Sequence, residues 1–158
     1  MGIMTDDWPD VQLDSVRRLR ALAAGIPGAT VTERVYDTTP AHAWDLIWGD
    51  GRTFVEFQTD MKKIEWIERD GDQVQLQVRS HYGMRARLRG TIRPGWCWLQ
   101  SRFLLMGMAV AEEPGGGTRV ALTGGVRVPG RAALIPIGVR RESTKSLNRL
   151  KAMLEART

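Results

Sequence analysis

Hydrophobic residues along the chain follow two different periods. In the last stretch, 136–156, a 3.6-residue period places Val139, Ser143, Leu147, Leu150 and Leu154 on one stripe, with Arg140, Arg141, Lys145 and Arg149 largely away from it. This spacing predicts a long amphipathic helix. Between Val31 and Val128 nearly everything alternates with period 2, which predicts one large antiparallel sheet for that helix to lie against. Ahead of the sheet, residues 10–24 carry Leu13, Val16, Leu19 and Ala23 at helical spacing, and Gly25, Pro27 and Gly28 end the run. The expectation is an N-terminal helix and a short linker, outside the main body.

Residues 29–37 (ATVTERVYD) are rich in β-branched side chains and read as a first strand. Thr38 or Thr39 can cap a following helix that starts at Pro40 and presents Trp44, Ile47 and Trp48; residues 52–58 form a second short helix or turn. Six more strands follow, at 61–69, 73–80, 84–93, 96–102, 105–113 and 118–128, punctuated by turn sequences such as Asp70-Gly71-Asp72 and Pro94-Gly95.

The turns also predict registers. A three-residue loop His81-Tyr82-Gly83, with Gly83 left-handed, pairs Ser80 with Met84, Val78 with Ala86 and Leu76 with Leu88. Apolar residues then share one face, and Gln73, Gln75, Gln77 and Arg79 oppose Thr91, Arg89, Arg87 and Arg85 on the other. A turn at Pro94-Gly95 pairs Ile92 with Cys97, Gly90 with Leu99, and Ala86 with Phe103 inside, leaving Trp96 and Trp98 outside. Ile64 and Trp66 are placed inward, where they meet Val78 and Leu76. Residues 103–111 (FLLMGMAVA) are apolar at both parities, so this strand needs cover on both sides or serves as an apolar rim. Gly90, Gly107, Gly124 and Gly125 inside strand patterns predict bulges or bends.

Composition narrows the picture without redrawing it. At 158 residues the chain fits one domain that buries roughly 70% of its unfolded surface. The net charge of +5 bears on solubility and on attraction to anionic surfaces. The single cysteine, Cys97, has no internal partner, and the longest apolar run, nine residues, is about half a membrane span. A cytoplasmic protein is expected. Two histidines and one cysteine far apart in sequence make no zinc site, and neither a phosphate loop nor GxGxxG nor GxSxG occurs. No metal or cofactor is expected.

The order of strand, two short helices, six-strand meander and long closing helix resembles the helix-grip fold. TTPAHAWDLIWGD, GGGTRVAL and SLNRLKAMLEA are similar to segments of the START/birch-pollen-allergen-like (SRPBCC) superfamily, in its polyketide cyclase/dehydrase and lipid-transport branch. The resemblance implies an α+β domain over 29–158, with a seven-stranded curved sheet wrapped around the closing helix, after an N-terminal extension over 1–28. It also implies a cavity between sheet and helix, its mouth formed by 81–83, 103–106 and 129–137. It transfers no catalytic residue, because the superfamily shares a fold and a cavity rather than a catalytic motif.

That cavity would take a hydrophobic or aromatic guest such as a lipid, isoprenoid or polyketide, since FLLM and AALIPI are unusually apolar for connections. The expected ligand-facing residues are Trp66, Val78, Tyr82, Leu88, Leu99, Phe103, Leu105, Met106, Leu134, Ile137, Ser143 and Leu147. If the cavity instead serves a cyclase or aromatase, His81, Tyr82, Tyr36 or Ser101 would move protons. The candidate polar groups of the interior are Ser80 and Ser101 by register, Tyr36 or Glu33 on the first strand and Ser143 or Asn148 on the closing helix. The ladder Arg79, Arg85, Arg87, Arg89 and Arg93, with Trp96 and Trp98 beside it, is a basic face that calls for no specific nucleic acid. The expected partner is a hydrophobic small molecule or lipid, with peripheral membrane contact as an open alternative and a monomer or weak dimer as the association state.

Overall fold

The computed structural model describes residues 14–49, 52–58, 61–81, 83, 85–127, 134–135 and 139–156. Its elements are α1 (Ser15–Ala24), β1 (Thr30–Tyr36), α2 (Pro40–Ile47), α3 (Arg52–Phe57), β2 (Met61–Asp70), β3 (Gln73–Ser80), β4 (Arg85–Arg93), β5 (Trp96–Gln100), β6 (Leu104–Glu112), β7 (Thr118–Arg127), β8 (Leu134–Ile135) and α4 (Val139–Ala156). The antiparallel sheet runs β1-β7-β6-β5-β4-β3-β2, and the two-residue β8 pairs with the end of β7. The eighth strand is not visible in the sequence pattern; it takes up Leu134 and Ile135 of the apolar AALIPI segment.

Local chemistry explains the elements. The Thr39 side chain caps α2 by accepting from the His42 N–H at 3.2 Å, and Pro40 occupies the first turn. Asp14 caps α1 through the Arg17 N–H at 2.9 Å. Gly83 adopts φ +82°, the conformation the β3–β4 turn requires. Val78 then pairs with Ala86, Leu76 with Leu88 and Arg79 with Arg85, as the turn sequence predicts. Ile92 pairs with Cys97 and Gly90 with Leu99 across β4–β5, and Ile64 with Val78 and Trp66 with Leu76 across β2–β3.

Two expectations about the strands are corrected. The β4–β5 ladder stops at Arg89 and Gln100, so Phe103 does not pair with Ala86. Instead the Ser101 hydroxyl accepts from the N–H groups of Phe103 and Leu104, at 3.2 and 3.0 Å, and turns the chain out of β5. The register shifts fall in β2, between Met61 and Lys63 and between Trp66 and Glu68, while Gly90, Gly107, Gly124 and Gly125 sit in unbroken ladders. Gly90, Gly107 and Gly124 admit close neighbours rather than bulges. A Cβ on Gly107 would lie 2.8 Å from Thr123 Cγ2 and 3.0 Å from both Leu19 Cδ1 and Trp98 Cε3.

Two apolar layers result. Inside the sheet, Leu76, Val78, Leu88, Cys97, Leu99, Met106, Met108, Val120 and Leu122 join Ile47, Phe54, Phe57, Leu147, Leu150 and Met153 in one buried cluster. Outside it, Val16 and Leu19 of α1 cover Trp96, Ala109 and Ala121. The alternation puts Met106 and Met108 of β6 inside and Gly107 and Ala109 outside, so the strand that is apolar at both parities is covered from both sides. α1 therefore packs on the outer face of the sheet, where its buried leucine and valine are each worth about 1.5–3 kcal/mol. It is held there by Arg20, which makes two bonds to the Glu33 carboxylate; Arg119 joins Glu33 at 3.3 Å and Glu113 at 2.8 Å.

Gly107→Ala should force Leu19 or Trp98 aside, destabilise the fold by about 1–3 kcal/mol and loosen α1. A denaturant titration followed by tryptophan emission reads the first effect, and hydrogen exchange of the α1 amides reads the second.

Candidate functional site

The closing helix lies along the concave face of the sheet at its β1–β7 side, where its close sheet neighbours are β1 and β7, and it also contacts α2 and α3. Its buried residues are Ser146, Leu147, Leu150, Met153 and Leu154, with Ser143 half-buried. The buried stripe keeps Leu147, Leu150 and Leu154 of the one drawn from the sequence and widens it by Ser146 and Met153. It runs i, i+1, i+4, i+7, i+8 from Ser146, the spacing of a helix pressed into a curved sheet.

Polar groups fix this helix. The Tyr36 hydroxyl donates to the Leu147 carbonyl oxygen at 2.6 Å, and the Ser146 hydroxyl donates to Gln58 Oε1 at 2.6 Å. At the surface, Arg34 Nη1 donates to Asn148 Oδ1 at 2.6 Å. Burial pushes the Tyr36 phenol up to about 12. Burial also pushes the Cys97 thiol far above its usual range, which leaves it a packing residue rather than a nucleophile.

The structure brings together Val78, Leu88, Leu99, Met106 and Leu147, all buried in the inner cluster. Trp66 faces the same side at the open flank of β2, 41% exposed, with its ring 6.3 Å from Trp48. Trp48 in turn stacks on Phe54 at 4.2 Å. A cleft of about 170 Å³ opens here beside Trp44, Trp48, Trp66 and Arg69. Ser143 lies half-buried on the first turns of α4.

Other expected residues fall elsewhere. Leu105 is buried, but strand alternation turns it to the face opposite Met106, away from the inner cluster. Phe103 is 48% exposed on the β5–β6 corner, because the turn closed by Ser101 directs it out. Glu33 sits on the outer face in the Arg20–Arg119 network, not inside, and its carboxyl is held below the usual range by the Arg20 hydrogen bonds. Asn148 is at the surface, bonded to Arg34. Trp96 lies on the outer face as expected, but it is buried beneath α1 and stacked on Trp98 at 6.3 Å. Tyr82, Ile137 and the side chain of Leu134 lie outside the described residues.

Of the acid–base candidates, His81 is exposed at the β3–β4 turn, while the Tyr36 and Ser101 hydroxyls are engaged with the Leu147 carbonyl and the β5–β6 corner. Sequence reasoning missed the buried Ser146–Gln58 pair. The available signal was that Ser146 shares the 3.6-period stripe of Leu150 and Met153. Among the described residues no group of three or more His, Cys, Asp or Glu is arranged to hold a metal ion, and no helix is long and apolar enough to cross a membrane.

No family profile and no curated protein matches this sequence. Solved structures do share its fold. The Zhui aromatase/cyclase from Streptomyces sp. R1128 superposes with a TM-score of 0.61 at 14% identity, over 82% of this chain and 94% of its own. Ara h 8.0201 superposes with a TM-score of 0.57 at 14% identity, over 81% and 97%. A Mesorhizobium loti protein superposes with a TM-score of 0.61 at 13% identity, over 81% and 97%.

The Tyr36 bond gives a direct test. Its phenol titrates at about 12 when folded, against about 10 when unfolded. The unfolded state therefore releases its proton first, and stability should be intact below pH 10 and fall as pH rises from about 10 to about 12. Tyr36→Phe should lose about 1 kcal/mol at neutral pH and abolish that alkaline fall. Denaturant midpoints across this range, with phenolate absorbance as a second readout, check both.

Proposed function

We propose, from the premise that this chain has the helix-grip fold of the START/birch-pollen-allergen-like superfamily, that it encloses a hydrophobic or aromatic small molecule between the sheet and α4. Lipid, isoprenoid and polyketide-like molecules are the candidate class. The observation that carries the reading is the contrast between the two faces of β3–β4. The inner face is apolar through Val74, Leu76, Val78, Leu88 and Ile92, with Ser80 as its one hydroxyl among the described residues, whereas the outer face presents glutamine and arginine. The inner wall lies opposite a helix whose close sheet neighbours are β1 and β7, on the other side of the concavity. An apolar wall with a few polar groups at its margin, here Ser143 and Ser80, suits a small hydrophobic guest.

Binding is favoured over turnover because the Tyr36 and Ser101 hydroxyls are engaged in protein hydrogen bonds. The end of the sheet that the resemblance assigns to the mouth supports the same reading: Phe103 and Val126 are exposed there, with Leu104 paired to Val126.

Native mass spectrometry of the purified protein should show a co-purifying or added hydrophobic guest, and a thermal-shift screen of lipids, isoprenoids and aromatic polyketides should raise the melting temperature. Leu88→Arg, which drives a cation into the inner wall, should abolish the shift; Leu88→Met, of similar volume, should keep it and show that the loss is not one of folding. A protein that stays free of guest and unmoved by every class defeats the proposal.

A further inference from the structure

Charge is distributed unevenly along the strands. The β2–β3 turn carries Asp70 and Asp72, and the β6–β7 turn is flanked by Glu112 and Glu113. At the opposite end of the sheet, where β3 turns into β4 and β5 into β6, stand Lys62, Lys63, Arg79, Arg85 and Arg102.

On the outer face of that end is a concavity of about 260 Å³ lined by Lys63, Glu65, Gln77, Arg79 and Arg85. Its carboxylate, Glu65, is bonded to Lys63 at 2.6 Å. Arg79 and Arg85 are direct cross-strand partners and make no ion pair among the described residues. Like charges directly opposite one another in a sheet repel; Glu65, which lies within the field of Arg85 but is bonded to Lys63, offsets this only in part, and the cluster of Lys63, Arg79 and Arg85 keeps an excess of positive charge.

The same end presents apolar surface. Phe103 is 48% exposed, with the Arg102 guanidinium 5.9 Å from its ring centre, and Val126 is 44% exposed opposite Leu104. Exposed apolar side chains and a row of cations along one end of the sheet match a membrane interface, where rings enter the acyl boundary and cations meet lipid phosphates.

We infer that this end of the sheet docks on an anionic lipid bilayer, with Phe103 and Val126 entering the interface and Arg79, Arg85 and Lys63 gathering headgroup phosphates. The inference rests on the function proposed above, since this is the end at which a hydrophobic guest would pass between membrane and protein. A single-stranded nucleic acid is the less suitable partner. Val126 offers no stacking surface, and Trp96, which would extend the arginine ladder with an aromatic face, is covered by α1.

The test is co-sedimentation with phosphatidylcholine vesicles, with and without phosphatidylglycerol, at rising salt. The protein should sediment only with the anionic vesicles and be released by salt. Arg79→Gln combined with Arg85→Gln should weaken partitioning about thirtyfold, from roughly fivefold per cation, and Phe103→Ser should weaken it by about tenfold or more. Lys151→Gln, toward the far end of α4, should leave it unchanged. Thermal melts establish that each variant is folded. Equal binding to neutral and anionic vesicles, no binding to either, or full binding by the Phe103 variant would overturn the inference. So would a single-stranded oligonucleotide that displaces the vesicles through the same two arginines. Because guest binding is read without vesicles, failure here is distinguishable from failure of the proposed function.

Discussion

The constraint on which this structure depends is that β6 is apolar on both of its faces. A strand with Met106 and Met108 on one side and Gly107 and Ala109 on the other cannot leave either side in water without exposing a contiguous apolar patch. The inner side is closed by α2, α3 and α4. The outer side needs a helix of its own, and α1 supplies it. Gly107 sets the distance of that helix, because the missing Cβ is the space into which Leu19 and Trp98 pack.

Polar contacts then select the arrangement that the apolar contacts permit. Glu33, on the outer face of β1, ties α1 through Arg20 and β7 through Arg119, and Arg119 reaches Glu113 beyond the β6–β7 turn. On the inner side, Tyr36 and Gln58 hold the middle of α4 by its Leu147 carbonyl and its Ser146 hydroxyl. A buried hydroxyl without a partner would cost about 1–3 kcal/mol, so these bonds fix the rotation of the helix. Where neither helix reaches, on the outer face of β2–β4, glutamine and arginine take over. The domain thus has a covered half and a charged half, and the arginine ladder of β3 and β4 lies on the second.

Much of this was legible in the chain. Period-2 alternation and the turns at Gly83 and Pro94-Gly95 specify the β3–β4 and β4–β5 registers, because a shift of one residue would turn Leu76, Val78 and Leu88 into solvent. The double-sided character of β6 left two outcomes, cover on both sides or an apolar rim, and the structure takes the first. The candidate site was less legible. Val78, Leu88, Leu99, Met106 and Leu147 meet as expected because alternation and helical period both demand it. Phe103 and Leu105 do not, since a hydroxyl-closed turn at Ser101 and the parity of a neighbouring strand decide where they point.

The sequence by itself determined the element order, the pairing of strands through tight turns and the division of each strand into an apolar and a polar face, all of which follow from interactions between residues near in the chain. Only the tertiary structure decided that α1 belongs to the outer layer, that Trp96 lies beneath it and that α4 buries Ser146 and Met153. It also decided that Arg79 and Arg85 share one end of the sheet with the exposed Phe103 and Val126. These outcomes depend on contacts between segments far apart in the chain, such as Tyr36 with Leu147, 111 residues away, and Gln58 with Ser146, 88 residues away. No local period records which of several equally apolar or equally charged surfaces will be brought together.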